Sequence, residues 1–126
     1  MKKIFIICTV RGASEEYKMM LENYVKNLES SGYAVHLPHR DTKQDARGLD
    51  ICLQNGEAIY NSDEIHVFYN SKSQGTHFDM GFTFAIQTLH NMGLIANNQK
   101  IVVVENEKYG EGKCYARMLD EWAGNI

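Results

Sequence analysis

Ile4-Phe5-Ile6-Ile7 contains no polar residue, and this one run narrows the possible folds more than anything else in the chain. A strand with one solvated face alternates apolar and polar residues, so an unbroken apolar run points to a strand covered on both faces, as in a parallel sheet. Tyr33 to Leu37, Glu64 to Tyr69 and Lys100 to Glu105 read as further strands. Stripes of period near 3.6 lie between them. After Ser14, with Glu15 and Glu16 suiting a helix start, come Tyr17, Met20, Leu21, Tyr24, Val25 and Leu28, and Gly32 closes that helix. A weaker helix runs from Leu49 to Asn61 with an interruption at Gly56. A third carries Phe82, Ala85, Ile86 and Leu89 to about His90, and a closing helix carries Tyr115, Met118, Leu119 and Trp122. This βαβαβαβα alternation predicts an α/β fold: a three-layer α/β/α sandwich, flavodoxin-like or Rossmann-like, around a mainly parallel sheet of four to five strands.

The 126 residues fit one domain, 1–126, without repeats or low-complexity tracts. Pro38, the only proline, ends the second strand, and the polar segment from His39 to Gly48 that follows reads as a lid. Gly110-Glu111-Gly112 reads as a flexible loop. With 13 basic against 16 acidic residues, a net charge of -3 argues against a nucleic-acid polymer as partner, while a single bound nucleotide is compatible. No apolar run approaches a membrane span, and Arg11 interrupts the only leader-like stretch, so no membrane partner and a cytoplasmic location are expected. Cys8, Cys52 and Cys114 are far apart and without CxxC spacing, which predicts small buried hydrophobes rather than disulfides or a zinc site.

Open α/β sheets gather ligands at the carboxyl ends of their strands. Two segments fall there. Cys8-Thr9-Val10-Arg11-Gly12-Ala13-Ser14 brings hydroxyls, a guanidinium and a glycine turn to a helix N-terminus, which suits a phosphate. It has neither the GxxxxGK[ST] nor the GxGxxG pattern, so ATPase and dehydrogenase readings lose support. Ser73-Gln74-Gly75-Thr76 adds hydroxyls and backbone amides at the start of the third helix, with Asp79 just inside it. In the first turn of a helix the dipole would hold that carboxylate ionised, as a nucleophile or an oxocarbenium stabiliser. His77 is a second candidate, as an acid or a contact to a base. His36, His39 and His66 lie on or beside strands without a plausible carboxylate partner, and no metal site or cofactor is expected. Tyr69 and Phe5 read as core residues.

Ser73-x-Gly75-x-x-x-Asp79-Met80-Gly81 resembles the signature of the nucleoside 2-deoxyribosyltransferase-like family, with Asp79 where that family has its catalytic Glu. Thr9-Val10-Arg11-Gly12 is similar to the first loop of its 2'-deoxynucleoside 5'-monophosphate N-glycosidase branch, and Ser73 matches the serine that contacts the 5'-phosphate there. A family aspartate on the second helix falls on Asn55. The resemblance spans roughly Lys3 to Leu89. It implies N-glycosidic cleavage or transfer on a nucleoside 5'-monophosphate, with Asp79 as nucleophile, Ser73, Gly75, Thr9, Val10, Arg11 and Gly12 around the phosphate, and Asn55 near sugar or base. It also implies a homodimer. A noncatalytic nucleotide-binding or sensing module is the alternative, followed by an unrelated flavodoxin-like regulator or flavin binder.

Overall fold

Successive side chains of a strand point to opposite faces of its sheet, and that alternation sorts the apolar residues into two cores. In the computed structural model, which describes residues 1–126, the elements are β1 (Lys3–Ile7), α1 (Glu15–Ser30), β2 (Ala34–His36), α2 (Pro38–Asp41), α3 (Gly48–Tyr60), β3 (Glu64–Phe68), α4 (Gln74–Asn91), β4 (Lys100–Glu105) and α5 (Tyr115–Ala123). The strands pair in the order β2-β1-β3-β4, every pair parallel. The expected α/β sandwich is the observed fold, with a sheet of four strands.

Phe5, Ile7, Ile65, Val67 and Ile101 form one core with Ile59 of α3, Met80 and Ile86 of α4, and Ala116 and Leu119 of α5. Ile4, Ile6, Cys8, Val35 and Phe68 form the other with Leu21 and Val25 of α1. Three helices thus share one face while α1 serves the opposite one. The run Ile4-Phe5-Ile6-Ile7 is at most 1% exposed, as its composition demands, and burying each such side chain is worth about 1.5–3 kcal/mol.

Local chemistry sets the boundaries. The Ser14 hydroxyl accepts from the Tyr17 amide to cap α1, and Gly32 leaves that helix with φ +95, a left-handed angle suited to glycine. The second strand is shorter than Tyr33 to Leu37. The Tyr33 amide returns to the Leu28 carbonyl, and the Leu37 amide donates to the Asp41 carboxylate at 2.8 Å, so neither joins the sheet.

The segment from His39 to Gly48 is not the free lid expected of it. Pro38 opens the short helix α2, Arg40 reaches Glu29 and the Val35 carbonyl, and Thr42 is sealed, so the first part of the segment is fastened down. The helices therefore number five rather than four. Nor is α3 interrupted at Gly56: the Phe82 ring of α4 lies where a Cβ at that position would come within 3.3 Å, so the glycine lets the two helices approach. Of the cysteines only Cys8 is buried. Cys52 faces solvent on α3, and Cys114 caps α5 by accepting from the Arg117 amide, a role that needs a polar end rather than a buried one. No helix is long and apolar enough to cross a membrane.

Candidate functional site

From β1 the chain turns to β2 on one side and later returns to β3 on the other, so the carboxyl ends of β1 and β3 flank a crevice at the switch in strand order. Both expected loops leave the sheet there. They are joined by a residue that sequence reasoning missed: the Asn70 amide donates to Thr9 Oγ1 at 3.0 Å. Asn70 also organises its own loop, its side-chain oxygen accepting from the Lys72 amide at 2.9 Å and its carbonyl from the Ser73 amide at 3.1 Å. An asparagine directly after a buried strand was the available signal.

In the first loop the Thr9 amide donates to the Tyr17 hydroxyl at 3.4 Å and Val10 packs against the α1 core. Gly12, at φ +75, carries the turn that the Ala13 amide closes onto the Val10 carbonyl. Arg11 is exposed and forms neither a hydrogen bond nor an ion pair within the chain. In the second loop Ser73 caps α4. Its hydroxyl oxygen accepts from the Thr76 amide at 3.2 Å and the Thr76 hydroxyl at 2.9 Å, and its carbonyl from the His77 amide. The Gln74 and Gly75 amides, first in α4, are left without partners, and a Cβ on Gly75 would meet nothing within 4 Å.

His77 is bound at both ring nitrogens. Nδ1 lies 2.7 Å from the Ser73 carbonyl, which can only accept, so that nitrogen carries the proton. In the neutral ring Nε2 then accepts from the Tyr69 hydroxyl at 2.9 Å. Tyr69 and Tyr115 pack edge-on against the ring, with centroids 5.3 and 5.4 Å away. The imidazole therefore fastens the first turn of α4 to the end of β3.

Asp79 departs from expectation in two respects. Because α4 begins at Gln74, Asp79 is its sixth residue and lies in the second turn, beyond the reach of the helix-start dipole. It is also 9% exposed, and its carboxylate has no hydrogen bond and no ion pair, so burial pushes its pKa from 3.8 up to about 7. The expected fully ionised carboxylate is replaced by one that titrates near neutrality. Its oxygens are nonetheless not sealed from solvent. Burial, with the nearby Asp79 adding to it, pushes the Cys8 thiol up to about 12, so that neighbour stays neutral.

Asn55 is engaged elsewhere. The Thr42 hydroxyl donates to its side-chain oxygen at 2.6 Å, and His36 Nε2 lies 2.8 Å from the same hydroxyl. The His36 ring stacks on Phe5 with centroids 5.2 Å apart. No hydrogen bond links Asn55 to Asp79 or to either loop. Two other histidines do find carboxylates, against expectation: His66 Nε2 lies 2.9 Å from Glu64, two residues away on the same face of β3, and His39 Nε2 lies 3.2 Å from Glu22 of α1. Tyr24 meets the other side of His66 at 2.6 Å.

A hollow of about 650 Å³ is lined by residues including Lys113, Cys114, Tyr115 and Arg117, and another of about 420 Å³ lies at the amino end of β4 beside Gln99, Lys100 and Trp122. None of the expected site residues lines either one, although Tyr115 connects the first hollow to His77.

No protein-family model and no curated relative matches the chain. Among solved structures it is similar to that of the Clostridium botulinum CMP N-glycosidase BcmB, with a TM-score of 0.65 and 20% identity, covering 95% of this chain and 81% of that one. The likeness is one of fold.

Proposed function

We propose that this protein cleaves, or transfers across, the N-glycosidic bond of a (deoxy)nucleoside 5'-monophosphate, with Asp79 as nucleophile. The state of Asp79 carries the reading: a carboxylate that is nearly buried, unpaired and held near neutrality beside the crevice of an open α/β sheet. Structural proteins rarely keep such a group, because burying it unpaired is costly. The unpartnered Gln74 and Gly75 amides at the start of its helix and the unpaired Arg11 of the other loop would together suit a phosphate. Ser73 and Thr9 hold the two loops that present them, with Val10 and Gly12 shaping the first. A fold shared with a protein described as a CMP N-glycosidase supports the same reading.

On this reading the ionised Asp79 attacks C1' as the bond from C1' to the base nitrogen breaks, and the bonding electrons leave with the base. A glycosyl-enzyme ester results, as in retaining glycosidases. Water then hydrolyses the ester, or an acceptor base takes the sugar. Desolvation raises the energy of the carboxylate anion, and positive charge developing on the sugar ring relieves it. Asn55 has its oxygen bound to Thr42 and keeps an amide donor for the sugar or base.

Incubation with individual nucleoside and deoxynucleoside monophosphates, followed by chromatography for free base, tests the proposal. Release that Asp79→Ala abolishes is the expected result, and release unchanged in that variant overturns it. Tight binding without release would point to a noncatalytic nucleotide-binding module. The shorter Asp79 side chain, standing where the family it resembles has Glu, favours that second reading.

The same reading includes a homodimer. Leu49 and Leu53 of α3 and Phe78, Phe82 and Leu89 of α4 are 37–63% exposed, as is unusual for apolar side chains on neighbouring helices. Over its 18 residues α4 has no lysine, arginine or glutamate, and its one aspartate is buried. A helix so poor in charge is suited to another copy of itself rather than to water.

A further inference from the structure

The loop that precedes α4 is guarded by a carboxylate from elsewhere in the chain. Glu107, two residues beyond β4, accepts a hydrogen bond from the Ser71 amide at 2.8 Å. That bond holds the Glu107 carboxyl below the usual glutamate range, with Lys72 and His77 assisting, so the group is anionic at neutral pH. The backbone donors of the loop are thereby divided. The Ser71 amide serves Glu107, the Lys72 amide serves the Asn70 side chain, and the Ser73 amide serves the Asn70 carbonyl. Only Gln74 and Gly75 keep free amides. Two adjacent amides at a helix start hold one phosphate group. A second phosphoryl group reaching back along the loop would find its amides taken and a fixed negative charge beside them.

We infer that Glu107 is a specificity-determining residue that confines this site to monophosphates by repelling nucleoside diphosphates and triphosphates. The inference rests on the proposed binding of a nucleotide phosphate at the start of α4 and adds a residue on a different element to that site. Glu107 sets no step of the bond cleavage. It acts on substrate choice alone, as like charges do when they reject a wrong partner.

Glu107→Gln isolates the charge, because the amide oxygen of glutamine still accepts from the Ser71 amide and the loop keeps its shape. Rates of base release and calorimetric affinities are compared for one nucleoside as its monophosphate and its diphosphate. The native protein should prefer the monophosphate. In Glu107→Gln the preference should shrink about three- to tenfold, as befits an exposed and salt-screened charge, through better use of the diphosphate. Raising the salt concentration should narrow the native preference and leave that of the variant in place. An unaltered ratio in a variant that still releases base overturns the role of Glu107 and leaves the proposed activity standing. Failure of the native protein to bind or cleave any monophosphate overturns both.

Discussion

Asp79 makes the behaviour of the whole site depend on pH. Its pKa in the fold, raised from 3.8 to about 7, means that folding favours the protonated form. The stability this contributes is complete below pH 4 and is lost as the pH rises through 7, with a ceiling of about 4 kcal/mol. Asparagine imitates the protonated acid. Asp79→Asn should therefore unfold at higher denaturant than the native protein at pH 8 and at nearly the same denaturant at pH 4, as followed by circular dichroism. Catalysis should run the other way. With the ionised form as nucleophile, kcat/KM should rise through a pKa near 7, whereas a fall across that range would make Asp79 an acid instead. The residue was legible in the sequence as a candidate, and its ionisation state was not. Ser73 to Thr76 do open the helix as expected, but with Ser73 as its cap and Gln74 its first residue, Asp79 is the sixth and falls in the second turn.

At the scale of elements, α4 depends on its first turn. The Ser73 hydroxyl and carbonyl together accept three hydrogen bonds, from Thr76 and His77, and the His77 ring adds a fourth on that carbonyl. Ser73→Ala removes the hydroxyl partner of the Thr76 amide and should cost about 1 kcal/mol, read from the urea midpoint with an unchanged slope. It should also raise KM for a monophosphate, since the free Gln74 and Gly75 amides would no longer be held at a fixed angle. The Ser14 cap, the apolar stripes and all four strands, the second with bounds one residue too wide at each end, were readable because each is encoded within a few residues. α2 was not, since its clamp joins the Leu37 amide to Asp41, and Arg40 to Glu29 on a different helix.

Taken as a whole, the molecule covers one sheet face with three helices and leaves their outer surface apolar across α3 and α4. Phe78→Arg, at a side chain 58% exposed, should leave the monomer folded while light scattering shifts from the mass of two chains to that of one. A native protein that is monomeric at all concentrations would remove the homodimer.

The periodic part of the structure was written in the residue order alone: apolar runs for strands, stripes for helices, their alternation for a parallel sheet, and the two loops that this topology brings to one edge. These features come from spacing, which acts locally. Tertiary packing was needed for the burial that holds Asp79 near neutrality, the Asn70 bond to Thr9, the engagement of Asn55 by Thr42 and His36, and the Glu107 bond to Ser71. The bonds among them join groups 6 to 61 residues apart in the chain, and whether such groups meet depends on how the elements pack, which no local pattern encodes.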